Sequence, residues 1–145
     1  AYQVKMKKIL DNVLNDTRIG DQVVFTGFIP DEHLDCLMGQ ALFLVYPSLY
    51  EGFGIPVLEA MQLGTPVITS NVTALPEVAG NAALLVNPHD IDEIAEAMTR
   101  LFTDKTLRQE LRERGSQRAK NYKWEITAQQ YLTLYTELVN KPNAR

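Results

Sequence analysis

Two glutamates and two glycines stand close together in the sequence, in and just after a loop predicted over residues 47–56. Glu51 is followed by Gly52 and Gly54, and Glu59 comes after seven intervening residues, within a predicted helix. Glycines let the backbone approach a ligand closely, and the free N–H groups at a helix start attract an anion such as phosphate. Carboxylates are strong hydrogen-bond acceptors for sugar hydroxyls. The stretch therefore predicts an anion site with two carboxylates beside it.

Simpler interpretations of the same residues remain open. A glycine pair between a strand and a helix often serves only the turn. Glu59 is also explained if its charge complements the dipole of the helix that carries it. His33 and His89 stand alone in the sequence, and a solitary histidine is usually an ordinary core or surface residue. No metal site is predicted.

The elements that must position these residues alternate between strands and helices. Short apolar runs predict four strands, at residues 23–25, 41–46, 66–69 and 83–86. Pro30 and Asp31 open one predicted helix, and Pro56 stands in the first turn of another that ends at Gly64. An amphipathic helix is predicted over residues 2–15. Alternating strands and helices imply parallel pairing through right-handed crossovers, and so an open α/β sheet with helices on its faces.

A helical tail follows the last predicted strand. Three helices are predicted beyond residue 88: the first starts at an Asp90 cap, the second is interrupted near Gly115, and the third covers residues 126–138. The second is expected to present a solvated basic face with Arg108, Arg112, Arg114 and Arg118. In open α/β sheets the ligand lies beyond the carboxyl ends of the strands, which is where the loop after residue 46 begins.

Composition narrows the classes of protein and partner. A length of 145 residues with 46% hydrophobic and 22% charged residues is typical of one soluble globular domain. The net charge of −4 and the lack of a basic stripe argue against a nucleic-acid partner. The single Cys36 cannot form an internal disulfide, and no signal peptide or membrane span is predicted, so a cytoplasmic location is expected.

Residues 47–61 and 64–68 closely resemble the signature of family four of the retaining glycosyltransferases, which carries two glutamates separated by seven residues. The likeness extends through residues 25–30, 75–78 and 84–88 and includes Trp124, so it covers nearly the whole chain. The resemblance implies the Rossmann-like, C-terminal half of an enzyme of the GT-B fold, which has two facing α/β domains. Residues 1–145 are thus expected to form one partial donor-binding domain, without the acceptor-binding N-terminal domain.

The resemblance also implies roles for individual residues. Glu51, the catalytic residue of this interpretation, bonds hydroxyls of the donor sugar, and Glu59 bonds the nucleotide ribose. Backbone N–H groups of Gly52, Phe53 and Gly54 face the sugar and the diphosphate. Two further groups of substrate-binding residues are implied. Phe28 and Ile29 form a loop that borders the base, and Ser70, Asn71 and Thr73 form a second wall of the donor cleft.

The reaction implied is metal-independent transfer of a glucosyl or mannosyl group, with its anomeric configuration retained, to a sugar or lipid acceptor. The donor is a nucleotide diphosphate sugar such as UDP-glucose or GDP-mannose, and no cofactor is expected. The family holds the leaving phosphate with an arginine and a lysine that precede the equivalent of Ala1, so this chain alone is expected to be inactive.

Other partners and functions stay open. A membrane surface is a possible partner of the parent enzyme, and unpaired strand edges make self-association of the chain an alternative. A non-catalytic nucleotide-sugar-binding module would share the same loop and glutamates. An epimerase or phosphorylase of the GT-B architecture is a further alternative.

Overall fold

The chain divides into two compact units, Ala1–Asp31 and Glu32–Arg145. The structure, a computed structural model, describes residues 11–12, 15–16 and 20–140. The described part of the first unit contains a short 3-10 helix, Gly20–Gln22, followed by an irregular stretch up to Pro30. Most of the helix predicted over residues 2–15 lies outside the described residues.

The strand predicted at residues 23–25 is wrong. This run is irregular, and the side chains of Val24 and Phe25 are exposed. A strand depends on a hydrogen-bonded neighbour and on packing of its side chains, and β-propensity by itself is a weak determinant. In the described part of the chain this run has no strand beside it, so its β-branched residues do not form a ladder.

Three parallel strands form the sheet of the second unit, in the order β1-β2-β3. They are β1, Leu44–Tyr46, β2, Val67–Ser70, and β3, Leu84–Val86. Ile68 of β2 lies opposite Val45 on one side and Leu84 on the other. All residues of β2 are buried, as expected for a central strand covered on both faces. The three strands predicted after residue 40 are confirmed: β1 and β3 are shorter than predicted, and β2 is shifted by one residue.

Six α-helices lie within residues 20–140. They are α1, Asp31–Gln40, α2, Ile55–Gln62, α3, Leu75–Ala79, α4, Ile91–Thr103, α5, Lys105–Ala119, and α6, Trp124–Asn140. The Asp90 cap is confirmed, because its Oδ1 accepts a hydrogen bond from the N–H of Glu93 at 3.0 Å. Helix α3 was not predicted, since five residues are too few to show a helical repeat.

Helix α5 runs without a break through Gly115, so the predicted interruption is wrong. Gly115 is buried where α5 contacts α2, and an added Cβ would lie 3.1 Å from Cγ of Met61. A glycine inside a helix costs about 1 kcal/mol relative to alanine, yet here it permits close approach of two helices. Its role is in packing and not in ending the helix.

Two hydrophobic clusters cover the two faces of the sheet. Neighbouring residues of a strand point to opposite faces, and accordingly Val67 belongs to one cluster and Ile68 to the other. The first cluster includes Met61 of α2, and the second includes Leu101 of α4 and Leu111 of α5. Helices thus pack on both sides of a parallel sheet, which confirms the predicted Rossmann-like α/β class.

Candidate functional site

The loop between β1 and α2 anchors the carboxylate of Glu51. Oε1 of Glu51 accepts one hydrogen bond from Oη of Tyr46 at 2.6 Å and another from Oγ of Ser48 at 2.9 Å. Tyr46 is the last residue of β1, so its hydrogen bond holds the carboxylate near the carboxyl end of that strand. No hydrogen bond from the described residues reaches Oε2, which leaves that oxygen available to a ligand.

These hydrogen bonds also set the ionisation of the pair. The bond from Tyr46, followed by the bond from Ser48, lowers the pKa of Glu51. The same bond to Glu51, together with burial and the negative charge of Glu51, raises the pKa of Tyr46 to about 12. At neutral pH the loop therefore presents a carboxylate and a neutral phenol. Glu51 is suited to accept hydrogen bonds and not to donate a proton.

The segment after β2 braces the same loop. Oγ of Ser70 donates to the carbonyl oxygen of Ser48 at 2.6 Å, and Oγ1 of Thr73 accepts from the backbone N–H of Glu51 at 3.2 Å. Thr73 has a φ of 57°, in the left-handed region, which is rare for a β-branched residue. Strained backbone of this kind persists where surrounding structure holds it, often at functional sites. Ser70 and Thr73, predicted as a second wall, thus contact the Glu51 loop directly.

The two glycines of the loop differ in what surrounds them. Gly54 has a φ of 108°, and an added Cβ would lie only 2.6 Å from Cδ2 of Leu75, so the fold itself requires glycine there. An added Cβ on Gly52 would meet nothing within 4 Å. No side chain caps the start of α2 at Ile55. The backbone around Gly52 is therefore accessible beside the start of α2, where the N–H of Val57 donates to the carbonyl oxygen of Gly54 and Pro56 has no N–H.

Glu59 lies on α2 and lines a cleft of about 640 Å³. Phe53 lines the same cleft, together with Tyr122 and Lys123 from the segment joining α5 to α6 and Trp124 at the start of α6. The side chain of Trp124 is 81% exposed. Glu51 is not among the lining residues. The structure thus groups Phe53 with Glu59, and Glu51 with the segment after β2.

Three further residues were predicted to bind the donor. Phe28 and Ile29 belong to the first unit, where Phe28 is exposed and Ile29 is half-buried. Asn71 has an exposed side chain, and its backbone N–H donates to the carbonyl oxygen of Val86 at 2.8 Å, at the end of β3. Contact of these residues with a nucleotide stays a prediction.

Sequence reasoning missed the residues that hold the loop, Tyr46, Ser48 and Tyr122. The first two carried a usable signal, because a tyrosine ending a predicted strand and a serine in the next turn lie within five residues of the predicted carboxylate. Tyr122 carried no such signal, since it is far along the chain from Phe53 and meets it only in the folded state.

The solvated basic face predicted for α5 is wrong for two of its arginines. Arg118 donates to carbonyl oxygens at the end of α3, and Arg108 donates to carbonyl oxygens at the end of α4. Each guanidinium supplies donors and positive charge to a helix C-terminus, where both are favourable. Arg114 does lie on an exposed face, in an ion pair of 3.0 Å with Glu110.

Metal-ligand clusters and membrane-spanning helices are absent from the ranges that the structure describes. No three side chains of His, Cys, Asp or Glu gather there in a way that could hold a metal ion. None of the helices in those ranges is both long and apolar enough to cross a membrane.

Known proteins are similar to this chain in sequence and in fold. The sequence model of the family described as glycosyl transferases group 1 matches residues 3–121. O-antigen chain mannosyltransferase B of Escherichia coli is 44% identical over 111 residues, which are 77% of this chain and 29% of that protein. The MMP alpha-(1->4)-mannosyltransferase of Mycolicibacterium hassiacum is 35% identical over 133 residues, 89% of this chain and 32% of that protein.

A solved structure agrees with the sequence matches. Sucrose-phosphate synthase from Thermosynechococcus elongatus superposes with a TM-score of 0.82 at 33% identity, over 95% of this chain and 35% of that one. The match thus spans about a third of the length of each of these three proteins. The match over most of the sequence, together with the Rossmann-like sheet, shows that the chain belongs to the group 1 glycosyl transferases, as part of a GT-B glycosyltransferase.

Proposed function

We propose that this chain is the donor-binding part of a retaining hexosyltransferase whose donor is a nucleotide diphosphate sugar. The observation that carries the proposal is the carboxylate of Glu51, which Tyr46 and Ser48 hold at the carboxyl end of β1 in a chain of this family. A fixed carboxylate with one oxygen to spare is suited to accept hydrogen bonds from sugar hydroxyls. In the proposal Glu51 binds and orients the donor sugar.

The nucleotide part of the donor is assigned to neighbouring groups. Glu59 accepts hydrogen bonds from the ribose, which is supported by its place on the wall of the cleft beside α2. Backbone N–H groups of Gly52, Phe53 and Gly54 face the sugar and the diphosphate. The open space around Gly52 and the uncapped start of α2 support this part of the assignment.

The rest of the reaction is assigned to the longer enzyme. We infer that residues 1–145 are one part of a two-domain protein, because the three proteins compared above are about three times as long as their matched segments. The second domain binds a sugar or lipid acceptor, and basic groups outside this chain hold the leaving phosphate without a metal. We favour mannose as the transferred sugar, because several of the relatives are mannosyltransferases.

Calorimetric titration of the full-length protein with GDP-mannose and with GDP tests the two glutamates separately. Glu59→Gln is expected to weaken binding of both ligands, since both carry the ribose. Glu51→Gln is expected to leave GDP affinity within about twofold, because GDP lacks the sugar. It should lower the rate of transfer by roughly 10–100-fold, which corresponds to the loss of a charged hydrogen bond of about 1.5–3 kcal/mol. Glu96→Gln, at an exposed position of α4, is the control and should change neither.

Three results would contradict parts of the proposal. Equal effects of the two substitutions on GDP binding would overturn the separate roles. Unchanged ligand affinity in Glu59→Gln, with only a small loss of stability, would show that Glu59 merely complements the helix dipole. Binding of GDP-mannose and UDP-glucose without hydrolysis or transfer in the intact protein would identify a non-catalytic binding module.

A further inference from the structure

Phe53, between the two glycines of the loop, makes its ring contact with a residue outside the loop. The rings of Phe53 and Tyr122 lie edge to face, with centroids 5.8 Å apart and planes at 74°. Aromatic pairs of this geometry are favourable beyond their buried area. The adjacent Gly52 contributes no side chain to hold the loop, and the space beside it is open. The ring of Tyr122 is therefore a support for the centre of the loop.

Tyr122 is itself held by Arg118 at the end of α5. Nη2 of Arg118 donates to Oη of Tyr122 at 2.9 Å, and the guanidinium carbon lies 5.3 Å from the centre of the tyrosine ring. The backbone N–H of Tyr122 donates to the carbonyl oxygen of Ala119 at 3.0 Å. The tyrosine is thus fixed at both its backbone and its hydroxyl.

Arg118 is fixed in turn by the C-terminal end of α3. Its Nε donates to the carbonyl oxygen of Val78 at 3.0 Å, and its Nη2 also donates to the carbonyl oxygen of Glu77. The guanidinium packs against Gly80, where an added Cβ would lie 3.3 Å from the guanidinium carbon and from Nε. A planar guanidinium with five donors can serve several acceptors at once, which a lysine cannot do in the same geometry.

Helix α3 also contacts the loop at its other end. Leu75, its first residue, is fully buried and packs against Gly54, so closely that a Cβ on Gly54 would collide with it. Contacts therefore run from Gly54 to α3, from α3 to Arg118, and from Arg118 through Tyr122 back to Phe53. The loop is held from two sides by one closed circuit of contacts.

We propose that Arg118 is a positioning residue of the donor loop. Its guanidinium fixes Tyr122, which fixes Phe53, and the backbone of residues 52–54 keeps the shape that the donor phosphates and sugar meet. The consequence for donor binding rests on the proposed function. The consequence for the loop itself does not, because the circuit consists of contacts within the chain.

Arg108 provides a matched control for Arg118. Both arginines lie on α5 and donate to carbonyl oxygens at the end of another helix, but Arg108 serves α4, which is not part of the circuit. Removal of either guanidinium should lower the melting temperature of the full-length protein. Only removal of Arg118 should disturb the loop, so the pair separates a positioning role from a purely structural one.

The test measures amide hydrogen exchange and donor affinity in the full-length protein carrying Arg118→Gln or Arg108→Gln. Peptides covering residues 46–58 report the amides of Glu51 and Val57, which are hydrogen-bonded to Thr73 and Gly54. Arg118→Gln is expected to speed their exchange and to weaken GDP-mannose binding by roughly 3–30-fold. This is less than the roughly 100-fold effect of a misplacement of about 1 Å, because the contact of Gly54 with Leu75 still supports the loop. Arg108→Gln should leave both within about twofold of the parent protein.

Milder substitutions keep the test decisive if Arg118→Gln does not fold. Tyr122→Phe removes only the hydroxyl that Arg118 binds, whereas Tyr122→Leu also removes the ring that meets Phe53. Amide exchange in residues 46–58 should be slowest in the unsubstituted full-length protein, faster in Tyr122→Phe and fastest in Tyr122→Leu. Unchanged exchange in Tyr122→Leu or in a folded Arg118→Gln overturns the positioning role, whatever the ligand data show. Absence of nucleotide-sugar binding in the parent protein overturns the proposed function instead.

Discussion

The hydroxyls of Tyr46 and Ser48 decide how Glu51 ionises, because both donate to the same carboxylate oxygen. A carboxyl group whose pKa is lower in the folded than in the unfolded state stabilises the fold at pH values above the unfolded pKa. That contribution is lost as the pH falls through the folded pKa. Tyr46 behaves in the opposite sense, since its pKa is raised to about 12. Its neutral form stabilises the fold below the ordinary tyrosine pKa, and the contribution is lost as the pH rises through about 12.

Substitution of Tyr46 by phenylalanine tests this coupling. Removing the phenol removes the main cause of the lowered pKa of Glu51, so the pKa should rise toward the ordinary glutamate value. Ser48→Ala should raise it less, because Ser48 is the smaller cause. Carboxyl carbon NMR titration of the chain measures both changes. Tyr50→Phe, at an exposed neighbour, is the control, and an unchanged pKa of Glu51 in Tyr46→Phe would contradict the assignment.

At the scale of elements, the turn into α2 depends on one glycine more than on the other. Gly54→Ala should destabilise the chain, because the φ of 108° costs a side-chain-bearing residue about 1–3 kcal/mol and the collision with buried Leu75 adds overpacking. Gly52→Ala has open space and should change stability by less than about 1 kcal/mol. Urea unfolding of the two variants measures the difference. Similar free energies of unfolding would show that the turn is less constrained than its geometry indicates.

The contact between α5 and α2 also requires a glycine, at position 115. Gly115→Leu should push the two helices apart at Met61 and destabilise the chain by about 1–3 kcal/mol or more, as overpacking does. Gln117→Leu, at an exposed position of the same helix, should stay within about 0.5 kcal/mol of the parent chain. Thermal unfolding compares them. A neutral Gly115→Leu would mean that α5 can shift along α2 without loss.

For the whole molecule, the buried core lies entirely in the second unit. Every buried hydrophobic side chain of the described residues falls between Met38 and Ala119. A chain of residues 32–145 should therefore keep cooperative unfolding, with a melting temperature within a few degrees of the parent chain. Removal of residues 1–40 should lower the free energy of unfolding by a further amount of about 1–3 kcal/mol, relative to the chain of residues 32–145. The reason is that the buried hydroxyl of Thr65 then lacks the carbonyl of Met38 as its acceptor. Equal loss in both truncations, measured by circular dichroism, would contradict this division.

The proposed division of labour also predicts what the 145-residue chain does alone. It should transfer no sugar from GDP-mannose or UDP-glucose, because acceptor binding and the charged partners of the leaving phosphate are assigned to the remainder of the enzyme. Its affinity for the donor should be weak for the same reason. A radiolabelled transfer assay with the chain and with the full-length protein measures the contrast. Turnover by the chain alone would refute the assignment.

Local chemistry in the sequence was sufficient for much of this protein. The apolar runs after residue 40 predicted three strands of the sheet, since runs of this kind are stable only when both faces are covered. The prediction that Asp90 caps a helix was correct, because such a cap involves only residues three positions apart in the sequence. The neighbourhood of Glu51 and Gly54 was singled out as a candidate site from residue types alone, and its role in binding stays a prediction. The resemblance of residues 47–68 to a glycosyltransferase signature predicted the family, which the sequence match confirms.

Only the tertiary structure decided the features that depend on distant partners. The run at residues 23–25 has strand-like composition but has no strand beside it in the described chain, and Gly115 meets a neighbouring helix where the sequence suggested a break. The support of Phe53 by Tyr122, and of Tyr122 by Arg118 at the end of α3, joins segments far apart in sequence. Local propensity describes what a segment favours by itself. Packing and hydrogen bonds with remote segments determine which of those preferences the folded chain keeps.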